Sequence, residues 1–383
     1  MKLKPKVLFV IDTLAIGGAE KSLLDVVNGF SHIKPVVCVL YKTDNSLEKK
    51  FQEKGIDLIC LNLKKKDKLW FLNGKKHFEK ILHKEKPDII QSYLFRSDII
   101  SRISKKSDNM LLGGSFVSDA YSKFRYKQLS LSMKFKLKIV EWIDRFTIQN
   151  NDFVLSITKT IAKNNSRTLR YPLTKCHVIY RGRTINPIER KKIYAIKNKQ
   201  VFNILTVGRL LQSKGYIDII NAASLLKNQN ISFQWKIAGE GSDRKIIEKH
   251  IADTNTQNVI SLLGTRNDIE KLLQESHLFV FASHYEGLGG ALIEAMLSKI
   301  PIIVSDIPVF REIISNDAAY FFEMGNAQDL ADKIKYISEN YDEALKKGEQ
   351  AHKEAVSKYN IDSIAHQTEN LYFDLIKKKA KSK

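Results

Sequence analysis

The feature that most constrains this fold is an alternation of short apolar runs with stretches of helical periodicity. The apolar runs have strand length and recur along both halves of the chain, and several are followed by apolar residues spaced three or four apart. Short buried strands that alternate with amphipathic helices are typical of parallel sheets covered on both faces. The predicted strands are Val7–Ile11, Val36–Leu40, Leu58–Leu61, Ile89–Ser92, Leu111–Val117, Phe153–Ile157, Asn203–Val207, Gln234–Ala238, Val259–Leu263, Leu278–Phe281 and Ile302–Val304.

The length of 383 residues suits two domains better than one core. The polar segment Arg190–Gln200 carries no strong strand signal and is the predicted linker. We therefore expect an α/β chain with two doubly wound, Rossmann-like domains, 1–190 and 191–360, facing a central cleft. Residues 361–383 are expected to form a helix that packs back on the first domain, followed by a basic tail. Ligands of such sheets bind beyond the carboxyl ends of the strands.

The positive charge of the chain is concentrated in its first half. Residues 1–190 contain 37 Lys and Arg against 18 Asp and Glu, a net charge of +19, whereas the remaining residues carry +2. This asymmetry favours an anionic partner such as a membrane surface, a phosphorylated substrate or nucleic acid. The alternative is a basic surface that is only solvated. No zinc pattern or RNA-binding aromatic motif is present, so no nucleic-acid partner is expected.

One segment of this basic half, Tyr121–Arg145, alternates cations with aromatic and aliphatic residues. It is predicted to form one helix with an apolar face and a basic face. Such a helix can lie on an anionic membrane. Alternatively, it is an ordinary surface helix whose apolar face belongs to the core.

The expected compartment follows from three observations. Three distant cysteines form no CxxC pair and predict neither a disulfide frame nor a zinc site. The start, Met1–Val10, is too short and too charged for a signal peptide. No apolar run approaches the roughly 18 residues that span a bilayer. We expect a cytoplasmic protein, with the inner face of the plasma membrane as a site of peripheral attachment.

The richest motif runs from Ser283 to Gly290, after one predicted strand and into a predicted helix. Glycines at a helix start let a ligand approach the backbone, and the helix N-terminus favours a phosphate. Glu294 lies among apolar neighbours, where a carboxylate needs donors such as sugar hydroxyls. The alternative is a helix capped by an acid, with Glu294 exposed.

Glu286 and Glu294 stand in the frame SxxEGLGGALIEAM, which precedes Lys299-Ile300-Pro301. This pattern closely resembles the retaining family-four glycosyltransferases (glycosyl transferases group 1) of GT-B fold. The resemblance implies that Glu286 and the loop Gly287-Leu288-Gly289-Gly290 lie at the transferred sugar and that Glu294 binds the ribose. It also implies a UDP-, GDP- or ADP-linked sugar donor and a glycan or lipid-linked acceptor, in bacterial surface polysaccharide or lipopolysaccharide synthesis. No metal or other cofactor is expected.

Further positions agree with this resemblance. Gly208-Arg209 follows a predicted strand, and Lys214 comes shortly after. The family places an arginine and a lysine such as Arg209 and Lys214 at the donor diphosphate. The alternative is that both are solvated surface charges. Ala238–Ser242, which includes Gly241, resembles a turn that this family places near the base. Leu263–Arg266, which includes Thr265 and Arg266, resembles a second such turn. Gly17-Gly18 resembles its glycine-rich loop, which faces the donor phosphates. That loop is not GxGxxG, which argues against a dinucleotide dehydrogenase.

The acceptor side departs from the pattern. Tyr93 stands where many relatives carry a histidine, Ser118-Asp119 occupies a second such position, and Arg181 replaces the Asn of a V-I-x-N-G turn. The acceptor candidates are therefore Tyr93, Arg96 and Asp119, with packing or capping as the alternative role. The missing histidine also leaves open a non-catalytic subunit that binds a nucleotide or glycan within a glycosylation complex.

Overall fold

The computed structural model describes residues 4–381 apart from residues 16, 45, 65, 66, 68, 186–200 and 230. The chain divides into two compact units. Unit 1 comprises the residues up to Thr184 and those from Asn360 onward, and unit 2 comprises Ile185–Tyr359. The predicted linker Arg190–Gln200 lies outside the described residues.

Unit 1 contains a seven-stranded parallel sheet in the order β3-β2-β1-β4-β5-β6-β7. Its strands are β1 Lys6–Ile11, β2 Lys34–Val39, β3 Asp57–Cys60, β4 Ile89–Tyr93, β5 Leu111–Phe116, β6 Phe153–Ser156 and β7 Cys176–Val178. Alternate residues of β1 enter two different cores, with Phe9 on one face of the sheet and Leu8 on the other. The strand order reverses between β1 and β4, which creates a crevice at their carboxyl ends.

The helices that cover this sheet follow the strands in the chain. They are α1 Gly18–Asn28, α2 Glu48–Glu53, α3 Trp70–Glu85, α4 Phe95–Ile103, α5 Lys123–Lys127, α6 Leu131–Thr147 and α7 Lys159–Leu169. The single helix predicted over Tyr121–Arg145 is wrong, because the chain is extended at Ser130, with φ −63° and ψ 161°. The Tyr126 hydroxyl donates to Glu141 Oε2 at 2.6 Å, which links α5 to α6.

Unit 2 contains a six-stranded parallel sheet in the order β10-β9-β8-β11-β12-β13. Its strands are β8 Phe202–Val207, β9 Phe233–Ala238, β10 Ile260–Gly264, β11 Leu278–Phe281, β12 Ile302–Ser305 and β13 Tyr320–Phe322. Its helices are α8 Tyr216–Asn228, α9 Arg244–Asp253, α10 Ile269–Glu275, α11 Gly290–Leu297, α12 Pro308–Ile313, α13 Ala327–Glu339 and α14 Tyr341–Tyr359. The strand order reverses between β8 and β11, so their loops diverge around a second crevice.

The last helix, α15 (Ile361–Lys381), belongs to unit 1. Tyr372 of this helix is fully buried and packs near Phe9 and Phe153, with ring centroids 6.4 and 6.1 Å apart. The buried carboxylate of Glu369 accepts hydrogen bonds from the backbone amides of residues 31–33 at 2.6 to 3.0 Å. These contacts fix α15 against the loop that enters β2.

Candidate active site

The crevice of unit 2 collects most of the residues singled out in the sequence. Arg209 and Lys214 follow β8, and Glu286 follows β11, which is the neighbouring strand. Because both strands are parallel, their following loops leave the same edge of the sheet. The alternation of strands and helices alone therefore brings the two sequence motifs to one place.

Gly215 determines how closely the two loops approach. It ends a 3-10 turn over Gln212–Lys214 and has φ +67°, a left-handed conformation that favours glycine. A Cβ atom at this position would overlap the carbonyl oxygen of Ala282, at the end of β11. The turn before α8 thus lies directly on the backbone after β11, and the preceding residue, Lys214, is held over the second loop.

Lys214 and Glu286 form an ion pair between Nζ and Oε1, with 15% and 12% of their side chains exposed. The Ser283 hydroxyl donates to the same carboxylate oxygen at 3.2 Å. Lys214 Nζ also lies 5.7 Å from the ring centroid of Phe281, a cation–π contact. The sequence predicted both residues as ligand contacts, but it did not predict that they pair with each other.

Two further residues, His284 and Asp218, hold this arrangement and were missed in the sequence. His284 Nε2 lies 2.6 Å from Asp218 Oδ2, on α8, and the His284 amide donates to the Ser213 carbonyl at 2.9 Å. Both contacts join the loop after β11 to the segment after β8. The available signal was the position of His284, two residues before Glu286, which sequence reasoning did not connect with an acid on α8.

The glycine loop after Glu286 leads into α11. Gly289 has φ +82° and precedes the first turn of this helix, and Leu288 is buried. The first amides of a helix have no partner within the helix, so this end favours an anion. Glu294 lies in the second turn of α11 and is half-buried, between the buried Ile293 and Ala295.

The remaining predicted donor contacts in unit 2 differ in their surroundings. Arg209 is exposed, and its guanidinium has no ion pair within the described part of the chain. The Gly208 carbonyl accepts a hydrogen bond from the buried Tyr216 hydroxyl at 2.8 Å. A Cβ atom at Gly241 would overlap the Leu210 carbonyl oxygen, which gives this glycine a packing role. Thr265 and Arg266 are exposed. Arg266 forms a bidentate pair with Asp268, at 2.6 and 2.8 Å.

Gly17 and Gly18, also predicted at the donor, lie in unit 1, where they begin α1 after β1. The carboxylate of Glu20 folds back on this helix start, and a Cβ atom at Gly17 would overlap Glu20 Oε2. Burial raises the pKa of Glu20, opposed by its own amide and by the positive charge of Arg181. The helix start therefore already holds one carboxylate of this chain.

The three acceptor candidates also lie in unit 1. Tyr93 ends β4, and burial raises its pKa to about 12, so the phenol stays neutral at physiological pH. Arg96 donates to the Tyr41 hydroxyl at 2.8 Å and lies 5.2 Å from the Tyr41 and Trp70 ring centroids, contacts typical of a packing role. Asp119 is buried and accepts from Asn164 Nδ2 at 3.0 Å.

Known proteins resemble this chain in fold and in sequence. The crystal structure of Anabaena HepE in complex with UDP and glucose superposes with a TM-score of 0.77 at 17% identity, over 96% of this chain and 99% of that one. The poly(ribitol-phosphate) alpha-N-acetylglucosaminyltransferase of Staphylococcus aureus (strain COL) is 33% identical over 168 residues, 43% of this chain and 34% of that protein. The UDP-Gal:alpha-D-GlcNAc-diphosphoundecaprenol alpha-1,3-galactosyltransferase of Escherichia coli is 24% identical over 311 residues, 78% of each chain.

The two doubly wound parallel sheets and the likeness to this solved structure confirm the predicted GT-B fold class. Residues 188–354 match the family model described as Glycosyl transferases group 1. This match includes the residues of the unit 2 crevice, and together with the relatives named as glycosyltransferases it confirms the expected enzyme class of glycosyltransferase. Among the helices in the described ranges, none is both long and apolar enough to cross a membrane.

Proposed function

We propose that this protein transfers a sugar from a nucleotide-diphosphate donor to a glycan or lipid-linked acceptor and retains the anomeric configuration. The observation that carries the proposal is the Lys214–Glu286 pair at the crevice of unit 2, beside the N-terminus of α11. This arrangement offers a cation for a diphosphate and a carboxylate for sugar hydroxyls within one contact.

In the proposed reaction the bond between the sugar anomeric carbon and the diphosphate oxygen breaks, and a bond to the acceptor oxygen forms on the same face. The acceptor proton passes to the leaving phosphate. Arg209 and Lys214 stabilise the negative charge on this leaving group, which requires no metal ion. Glu286 holds the sugar, and Glu294 holds the ribose. The pairing of Lys214 with Glu286 keeps both groups oriented before the donor binds.

The substrate classes are inferred from the relatives. A related structure was determined with UDP and glucose, and the Escherichia coli relative is named for a UDP-linked donor and a diphosphoundecaprenol acceptor. We infer a nucleotide-sugar donor, with UDP first among the bases to test. We also infer an acceptor in bacterial surface polysaccharide or lipopolysaccharide synthesis.

Donor hydrolysis and transfer test this function. The purified protein is incubated with UDP-, GDP- and ADP-sugars, and the anomeric configuration of the product is read by proton NMR. We expect turnover with one donor and retention, and we expect Glu286→Gln to abolish turnover while the fold persists. Tight nucleotide binding without any turnover would instead favour the non-catalytic subunit.

We also propose that unit 1 attaches to an anionic membrane surface, at the inner face of the plasma membrane, through α6. Five large apolar residues form a continuous stripe on the outer side of this helix, here called the α6 stripe. The α6 stripe consists of Leu131, Phe135, Ile139, Trp142 and Phe146, which are 46% to 84% exposed. Spacings of three and four residues place them on one helix face, whereas Leu137 and Glu141 are buried on the other.

Charge identifies the kind of surface that this stripe fits. Lys136 and Lys138 are exposed on the same helix, and Lys123, Arg125 and Lys127 are exposed on the neighbouring α5. An exposed apolar stripe beside cations suits the boundary between anionic headgroups and acyl chains. Each cation near such a surface contributes about 1 kcal/mol of attraction. A lipid-linked acceptor would lie in the same surface.

Vesicle co-sedimentation tests this attachment. We expect binding to vesicles that contain phosphatidylglycerol and not to pure phosphatidylcholine. The double variant Phe135→Ser, Trp142→Ser is expected to weaken binding at least tenfold, whereas Leu173→Ser removes a 52%-exposed leucine elsewhere in unit 1 and serves as control. Equal binding by the double variant and the control would contradict the proposal.

A further inference from the structure

Unit 1 contains a cavity of about 150 Å³ beyond the carboxyl ends of β4 and β5. Residues that follow these strands line one side, and residues of α4, α6 and α7 line the other. A water molecule needs roughly 10–15 Å³ on this measure, so the cavity has room for on the order of ten water-sized groups, the size of one monosaccharide unit. We name it the Arg102 cavity after the buried arginine in its lining. The acceptor candidates Tyr93, Arg96 and Asp119 are not among the described residues that line it.

Arg102 brings an unsatisfied donor to this cavity. Its side chain is only 2% exposed; Nη1 donates to Asp144 Oδ1 at 2.5 Å, and Nη2 lies 3.5 Å from Asp98 Oδ2. The Nε atom is buried and has no hydrogen-bond partner among the described residues. A buried donor without an acceptor costs free energy, and more so when the group is charged. The adjoining cavity offers room for an acceptor atom that the described chain does not supply.

The charges around the cavity disfavour an anionic ligand. One guanidinium faces the two carboxylates of Asp98 and Asp144. Burial raises the pKa of Asp98 to about 7, with Arg102 opposing, so the cluster is neutral or negative at neutral pH. Neutral hydroxyl groups suit such a cluster, because each can donate to a carboxylate and accept from a guanidinium.

The lining also combines polar and apolar residues. Ser118, Tyr121 and Asn165 contribute polar groups, whereas Phe116 and Leu169 are buried and apolar. Sites for small molecules are typically apolar with a few placed polar groups. A pyranose presents hydroxyl groups at its edge and C–H groups on its faces, so one sugar unit matches both kinds of surface.

The loop after β5, which forms part of the cavity wall, is fixed by two helices. The Tyr121 hydroxyl donates to Asp144 Oδ2 on α6 at 2.8 Å, and Asn165 Nδ2 on α7 donates to the Ser118 carbonyl at 2.9 Å. The wall is therefore formed before a ligand enters, which lowers the entropic cost of binding.

We propose that the Arg102 cavity binds one neutral sugar unit of the glycan acceptor. Doubly wound sheets bind ligands beyond the carboxyl ends of their strands, where this cavity lies. The Lys214–Glu286 pair that carries the proposed donor site belongs to unit 2, and the cavity belongs to unit 1. The inference rests on the proposed function for the source of the sugar, because the same chemistry would also suit the sugar of the donor.

The test uses the full chain and three probes, the methyl α-glycosides of glucose, galactose and N-acetylglucosamine. Binding is measured by saturation-transfer difference NMR, which detects weak ligands. Ala120→Phe fills the cavity and Asp144→Asn removes a charged acceptor, whereas Ala380→Phe and Asp374→Asn, at exposed positions of α15, are the matched controls. We expect at least one glycoside to bind, about tenfold more weakly in both cavity variants and with less than about a twofold change in both controls. Calorimetric melting checks that each variant is folded, and Ala120→Phe alone decides the test if Asp144→Asn is unstable.

A second arm identifies the source of the sugar. The glycoside signal of the wild-type protein is measured with and without the 2-deoxy-2-fluoro analogue of the preferred UDP-sugar, which resists transfer. A signal that persists assigns the cavity to the acceptor, and a displaced signal would overturn that assignment in favour of the donor.

Two results would overturn the site itself. One is the absence of binding of any of the three glycosides to the wild-type protein. The other is binding that persists in Ala120→Phe but is lost in Glu286→Gln, which would place the sugar in unit 2. Absence of binding of every UDP-sugar to the wild-type protein would refute the proposed UDP donor without affecting the glycoside result.

Discussion

Removal of the Lys214 ammonium tests the crevice of unit 2 most informatively, because stability and activity respond differently. Loss of one partner from a buried ion pair costs about 3–5 kcal/mol, whereas exposed pairs contribute about 0–1 kcal/mol. The Lys214 and Glu286 side chains keep 15% and 12% of their surface exposed, so Lys214→Ala should cost ~2 kcal/mol. For a unit of this size each kcal/mol lowers the melting temperature by about 2–4 °C, which predicts a loss of roughly 4–8 °C.

The double variant Lys214→Ala, Glu286→Gln separates the two effects. The neutral amide no longer needs the ammonium, so part of the lost stability should return, with a coupling energy of about 1–2 kcal/mol. Transfer activity should not return, because loss of one group that stabilises transition-state charge costs on the order of 100- to 1000-fold in kcat.

Both quantities are measured on the same preparations, by calorimetric melting and by donor turnover. The control is Lys271→Ala, which breaks an exposed pair with Glu275 on α10, at 3.8 Å, and should cost less than about 0.5 kcal/mol. The reasoning is refuted if Lys214→Ala melts like Lys271→Ala, or if the double variant recovers activity.

Three further predictions concern the elements that position the sites. Gly215→Ala should lower the melting temperature by several degrees, because its Cβ atom would overlap the Ala282 carbonyl at φ +67°; an unchanged melt would refute the close approach of the two loops. Glu369→Ala should cost about 2–4 kcal/mol in calorimetric melting, since three backbone amides lose a charged acceptor, and a loss below 1 kcal/mol would contradict this role. Burial raises the pKa of Asp98 to about 7, from 3.8, with Arg102 opposing, so its contribution to stability is complete below pH 4 and is lost as pH rises through 7. Asp98→Asn should therefore flatten the profile of melting temperature between pH 5 and 8, and a profile as steep as that of the wild-type protein would speak against the assignment.

The strands of this fold were predictable because parallel strands are buried on both faces and read as apolar runs. Each of the eleven predicted runs corresponds to a strand, namely β1 to β6 and β8 to β12. The strands Cys176–Val178 and Tyr320–Phe322 were missed because each has three residues at the edge of its sheet. Three residues are too few to show a periodic pattern, and an edge strand is buried on fewer sides than a central strand.

In the segment Tyr121–Arg145 the prediction failed in the opposite way, because one helix was predicted where the structure has two. Its apolar and basic residues predicted one helix, but no breaker such as Gly or Pro marks the break before Ser130. The orientation of the helix was also beyond the sequence. Periodicity shows that apolar residues share a face, whereas only the fold shows that the α6 stripe points away from the core.

For the candidate site, the sequence predicted the residues but not their partners. Glu286 and Lys214 are 72 positions apart, and only the neighbouring placement of β8 and β11 brings them into contact. Asp218 lies in no motif, and His284 had no predicted role within the motif that contains it; both were found through the same contact between loops. Residue type predicts chemistry, whereas long-range pairing depends on the strand order.

The central claim is that the crevice after β8 and β11 binds a nucleotide sugar, and calorimetric titration tests it most directly. UDP-, GDP- and ADP-sugars are titrated into the wild-type protein, Arg209→Ala, Glu294→Ala and the surface control Lys271→Ala. We predict one preferred donor, with affinity at least tenfold weaker in Arg209→Ala and in Glu294→Ala and unchanged in Lys271→Ala. Equal affinity for that donor in all four proteins, or no binding of any donor to the wild-type protein, would contradict the account.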